Sequence, residues 1–176
     1  MGGFAGGDEG GYWDLDIPPT SMVKDNDTIS KRRNRVASYI EKSDSGYSIK
    51  AHAKTKGLYD TISFVPCACE TFTIEGCNDI PLELNSIDKA YKALLDFTDD
   101  LDIVDFFHAH KIVVNKGIPL HAGLGGAASD AAAFILLVKE VCNLILSADE
   151  LANIGRAVGD DVPFFIHNYY SGDILD

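Results

Sequence analysis

The chain has 176 residues, 46% hydrophobic and 24% charged, which is ordinary for one soluble domain with a sizeable core. Its 15 basic and 27 acidic residues give a formal charge of -12, so nucleic acid and membrane are not expected as partners. An anionic nucleotide is still admitted, because backbone amides and a metal ion neutralise phosphates locally without a basic surface.

No stretch approaches the roughly 18 apolar residues of a membrane span, and the first residues lack the basic and apolar regions of a signal peptide. Cys67, Cys69, Cys77 and Cys142 are too few and too uneven for a disulfide framework. A cytoplasmic location is the expectation.

Residues 1–46 begin with six glycines in eleven positions, continue through Pro18-Pro19 and end in a charged run, so they predict a loosely held arm or linker. One short helix is expected within it, over 29–40. From Tyr47 the texture changes. Ile49, Ala51 and Ala53 alternate with Ser48, Lys50, His52 and Lys54, which predicts a strand over 47–54. Two more strands are expected over 60–66 and 70–75, closed by the turn 76–79.

Ser86 is placed to cap a helix running to Thr98, and 96–105 reads as an acidic loop with a short helical turn. A strand over 111–115 leads into a glycine-rich loop, and a helix is expected over 129–145. Ser147 and Glu150 have the spacing of a capping box opening a helix that runs to Val158, with Gly159 expected in the left-handed conformation at its end. The run 163–167 reads as a buried strand.

The loop carries the chemistry. His121-Ala-Gly-Leu-Gly-Gly-Ala-Ala-Ser-Asp130 opens straight into a helix, so unpaired amides and the positive end of a helix dipole face outward with no side chains in the way. Taken alone, such a loop serves either phosphate binding or close helix packing. It lacks the Gly-Lys-Ser/Thr ending of a P-loop and the spacing of dinucleotide folds.

With its surroundings the loop resembles the second motif of the GHMP small-molecule kinases, on Ile118-Pro119 through Gly123, Gly125, Gly126, Ser129 and Asp130. The later segments Leu146-Ser147, Glu150-Leu151, Ile154-Gly155 and Gly159-Asp-Asp-Val-Pro-Phe-Phe165 are similar to the branch acting on 4-diphosphocytidyl-2-C-methyl-D-erythritol, a sugar alcohol linked to cytidine diphosphate. Upstream, Asp60-Thr-Ile-Ser63 and Leu84-Asn-Ser-Ile87 continue the likeness.

The resemblance implies an α+β fold, a two-layer sandwich with helices packed on one side of a mixed sheet, spanning 47–176. It implies an ATP-dependent kinase of isoprenoid precursor synthesis that phosphorylates a hydroxyl of that substrate. Asp161 matches the general base and Lys54 the lysine that orients it. Gly123, Leu124, Gly125, Gly126, Ala127, Ala128 and Ser129 would hold the ATP phosphates, bridged by Mg2+. Read without the family, Asp161 is equally a turn residue and Lys54 a solvated strand end.

The chain departs from the pattern in three places. Ala127 and Ala128 stand where the branch has a glycine and a serine. The hairpin that packs on the cytosine has no room between Lys54 and Asp60. The family's second domain is not expected in this sequence. An inactive fragment or rearranged remnant of such a kinase, and a different GHMP kinase, are therefore the alternatives. His108 with His110, and Cys67 with Cys69, lack an evident third ligand, so no residue is assigned to a metal. His121 and His52 are candidates for lining the cleft, and the oligomeric state is left open.

Overall fold

The computed structural model describes residues 40–55 and 57–171, so most of the expected arm, with nearly all of its helix, lies outside the described residues. The last of it does not. Ile40–Ser43 forms strand β1, which pairs antiparallel with β2 (Gly46–His52) through a two-residue turn. β3 (Tyr59–Pro66), β4 (Ile74–Glu75) and β5 (His110–Asn115) complete a sheet of order β1-β2-β3-β5-β4. The pairs are antiparallel except β4 with β5, which makes the sheet mixed. The strand expected over 70–75 is reduced to its last two residues.

Alternation decides which face is buried. The register sets Ile49 against Ile62, Ile62 against Val114, and Phe64 against Ile112. These side chains share one face and are buried there. On them lies α3 (Gly126–Val141), buried from Ser129 to Lys139 because it also meets α1 (Ser86–Thr98), α4 (Ala148–Val158) and α5 (Val162–Ser171). A helix covered by a sheet on one side and helices on the other has to be apolar all round, and its Ala-rich middle lets the neighbours approach closely. The fold is thus α+β, with the helices on one side of a mixed sheet.

α2 (Leu101–His108) closes the far end with an aromatic cluster. Phe64 meets Phe107 edge-on at 5.0 Å, and Phe72 stacks on Tyr91 at 3.9 Å. This helix replaces the loop expected over 96–105. Its start is capped by Asp100, whose side chain accepts from Asp102 N, just after the left-handed Asp99 has ended α1. His108 ends α2, while His110 stacks on Phe106 at 4.0 Å and its Nδ1 bonds the Phe106 carbonyl, so the two histidines do not share a strand face. Cys67 and Cys69 lie past the end of β3, where their amides donate to the carbonyls of Ala109 and His108.

Three further expectations change. The residues 163–167 lie in helix α5, not in a strand. Val162, Phe165 and Ile166 are buried at helical spacing, and Pro163 falls in the first turn, where its missing N–H costs nothing. Gly159 is extended, with φ -178, not left-handed. Asn85, not Ser86, caps α1, accepting from Ile87 N at 2.8 Å.

The capping box stands as expected, with Ser147 Oγ accepting from Glu150 N at 3.1 Å and Glu150 Oε1 accepting from Ser147 N at 3.0 Å. Ser147→Ala should lower unfolding stability by about 1 kcal/mol, read as an earlier denaturant midpoint at unchanged slope.

Candidate functional site

The glycine loop ends at Gly125, which is left-handed (φ +76) and caps α3. The first intrahelical bond runs from Ser129 N to the Gly125 carbonyl at 2.8 Å, and among the described residues no side chain caps this helix start. The amides of Gly126, Ala127 and Ala128 are therefore the orphan donors of the helix, with its dipole behind them. Ala127 is exposed and Gly126 and Ala128 are half-buried, so an anion can reach them. Ser86 Oγ donates to the Ala127 carbonyl at 2.8 Å and so holds this first turn from the side of α1.

The two residues expected to do the chemistry meet at this loop, although 107 positions separate them. Lys54 Nζ donates to Asp161 Oδ2 at 3.1 Å, and both side chains remain open to solvent, at 41% and 57% exposure. Asp161 stands immediately before the first residue of α5. Lys54 is tied to the loop itself, since its backbone N–H donates to the Leu124 carbonyl at 3.0 Å. An exposed ion pair adds little to stability, so this geometry is of interest for positioning charge and not for holding the fold.

Gly125 has to be glycine for two reasons. Its conformation is left-handed, and a Cβ there would stand 2.9 Å from Phe165 Cζ and 3.2 Å from Lys54 Cε. Phe165, 9% exposed, packs against the loop from α5. Gly125→Ala should cost about 1–2 kcal/mol of stability, measured by thermal unfolding, because it displaces Lys54 and Phe165.

Of the other expected phosphate contacts, Gly123 is exposed and left-handed, and Leu124 is half-buried. Ser129 is buried, and its hydroxyl donates to the Gly126 carbonyl at 3.0 Å, so in this arrangement it supports the turn from within. His121 is exposed. The His52 ring packs against Tyr59 at 5.6 Å on the sheet face opposite the core, and its pKa is lowered, first by burial and then by the Lys50 charge.

A buried charged cluster lies behind the loop. Asp60 is wholly buried; its Oδ1 accepts from Gly117 N at 2.6 Å and Ile118 N at 2.9 Å. Lys116 Nζ bridges Asp60 Oδ2 at 2.6 Å and Asp130 Oδ2 at 3.1 Å. Asp60 faces inward in register with Ile62 and Phe64, so an acidic residue on the apolar face of β3 was the available signal for it. Asp130 and Lys116 carried no such signal.

With this geometry in view, residues 85–169 match the family model for the GHMP kinases N terminal domain. The match covers 85 of the 176 residues, and through it the chain is similar to the GHMP kinases. Within them it is similar to 4-diphosphocytidyl-2-C-methyl-D-erythritol kinases. It is 44% identical to that of Sulfurovum sp. over 151 residues, covering 73% of this chain and 58% of the relative. For Sulfurimonas denitrificans the identity is 45% over 125 residues, with 69% and 47% covered.

The chain thus spans about half the length of the curated relatives it matches. Among solved structures, a 4-(cytidine 5'-diphospho)-2C-methyl-D-erythritol kinase aligns at 23% identity and a TM-score of 0.48, over 69% of this chain and 38% of that one. No helix among the described residues is long and apolar enough to cross a membrane.

Proposed function

We propose that the chain is an ATP-dependent kinase that phosphorylates a hydroxyl of 4-diphosphocytidyl-2-C-methyl-D-erythritol, acting in the cytoplasm without nucleic-acid or membrane partners. The observation that carries this reading is the Lys54–Asp161 pair, 3.1 Å apart beside the uncapped start of α3. Asp161 takes the proton of the substrate hydroxyl as that oxygen attacks the γ-phosphorus, and Lys54 holds the carboxylate in place and offsets charge on the transferred group. The amides of Gly126, Ala127 and Ala128, with the turn 123–125, receive the phosphates of ATP, and Ser129 keeps that turn in shape.

An all-oxygen environment of phosphates beside an open carboxylate suits Mg2+, which when bound neutralises phosphate charge; no protein ligand is assigned to it. Transfer is then a matter of positioning and electrostatics, which is what this constellation offers.

A second reading is favoured by the link between β2 and β3. It runs only from Ala53 to Leu58 and closes on itself through Ala53 N to the Leu58 carbonyl at 3.0 Å, which leaves no hairpin to hold the cytosine. On that reading the chain binds nucleotide but does not transfer phosphate. Incubation of the protein with Mg2+-ATP and the diphosphocytidyl substrate separates the two. The first predicts a product heavier by one phosphate, and the second predicts thermal stabilisation by Mg2+-ATP with no such product. Absence of both overturns both.

A further inference from the structure

The phosphate loop is held at its two ends by one buried cluster. Its start, Gly117 and Ile118, hangs by two amides on Asp60 Oδ1, and its end passes one turn into α3 to Asp130, which Lys116 ties back to Asp60. Asp60 and Asp130 are 0% and 4% exposed, far from the surface setting in which ion pairs contribute little. Two carboxyls thus meet one ammonium, a charge balance that favours a proton held on one of them. The second oxygen of Asp130, Oδ1, is buried with no hydrogen-bond partner among the described residues.

We propose that Asp60, Lys116 and Asp130 are positioning residues that clamp the start and end of the phosphate loop together and so set its affinity for nucleotide phosphates. The inference rests on the kinase reading for its ligand, but not for the clamp itself. With a proton on Asp130, the charges are one carboxylate, one ammonium and one neutral acid, which sum to zero. Loss of the proton leaves a net negative charge buried directly behind the helix start that receives the phosphates. It also sets two carboxylates against each other at one ammonium. Both changes act in the same direction, against an anionic ligand.

The groups facing Asp130 are Asp60 from β3, Lys116 after β5 and the Cys77 thiol after β4, with the neutral Asn85 at the start of α1 beside Cys77. Burial, and then the hydrogen bond and charge of Asp60, push the Asp130 carboxyl up to about 8 against the opposing effect of Lys116. For Asp60 burial acts upward, but the hydrogen bonds from Asp130, Lys116, Ile118 and Gly117 outweigh it and hold the carboxylate below its usual range. Burial pulls Lys116 down, yet its two carboxyl partners raise it. Cys77 is raised by burial and stays neutral.

An unfolded chain loses the Asp130 proton near 3.8, the folded chain near 8, so the group's contribution to stability falls as pH rises between those values. Asp130→Asn keeps a donor for Asp60 and removes the titration.

The decisive experiment follows the backbone amide resonances of Gly123, Gly125 and Gly126 against pH by NMR, in the protein and in Asp130→Asn, alongside Mg2+-ATP affinity. The loop signals of the protein should shift with a midpoint near pH 8, and affinity should drop on the order of tenfold between about pH 7 and pH 9. In Asp130→Asn the signals stay flat and affinity changes less than about twofold. Identical loop titrations in the two proteins overturn the clamp. So does a direct carboxyl-carbon titration of Asp130 with a midpoint near 4, a measurement that needs no variant to fold. Loop signals that titrate as expected in a chain that binds no nucleotide at any pH leave the clamp standing and overturn the kinase reading.

Discussion

Asp161→Asn should lower phosphoryl transfer by about 10²- to 10⁴-fold while leaving the fold and Mg2+-ATP binding intact. The amide cannot take the proton from the attacking hydroxyl, yet it fills the same space in front of α5. The lost partner is an exposed ion pair at 3.1 Å, whose removal costs at most about 1 kcal/mol. A single-turnover assay beside a thermal-unfolding scan separates chemistry from folding. The rate constant should fall and the unfolding temperature stay within a few degrees. A variant retaining more than about a third of the rate would remove Asp161 from the role of base.

Asp60→Ala should be among the most destabilising single changes near the site, costing about 3–5 kcal/mol. It strips the acceptor from two backbone amides and leaves the Lys116 ammonium beside a cavity with Asp130 as its remaining partner. Asp60→Asn keeps an acceptor and should cost less, about 1–3 kcal/mol. Because the folded carboxylate is held below its usual 3.8, its stabilising contribution is fully present above that value and is lost as pH falls through the lower folded one. Urea unfolding at neutral and acid pH reads both effects. Below 3.8, where Asp130 is protonated folded and unfolded alike, the protein should lose stability as pH falls, and Asp60→Asn should lose less. Equal midpoints for the protein and Asp60→Ala at neutral pH would mean that the cluster does not hold the loop.

What was readable from the sequence is what depends on near neighbours. The Ser147–Glu150 capping box is a four-residue pattern with its own hydrogen bonds, and it forms as its spacing requires. The glycine loop is likewise local: glycines next to a helix start produce open amides whatever surrounds them. Where two local solutions were nearly equivalent, distant contacts chose between them. Asn85 and Ser86 are both good caps, and Asn85 takes the role while the Ser86 hydroxyl binds the Ala127 carbonyl across 41 positions. The five residues 163–167 are too few to show a period, and packing of Val162, Phe165 and Ile166 against α3 and α4 makes them helical.

The amino-acid sequence by itself determined the likeness to the GHMP kinases, the glycine loop at a helix start and the two residues that this likeness matches to its chemistry. It could not determine that Lys54 reaches Asp161, that Phe165 packs on Gly125, or that Asp60, Lys116 and Asp130 share one buried site. Those are contacts between residues brought from separate strands and helices, decided by sheet register and by how the helices seat on one face. Side-chain charge is written in the sequence, but the burial that turns it into a clamp exists only in the folded chain.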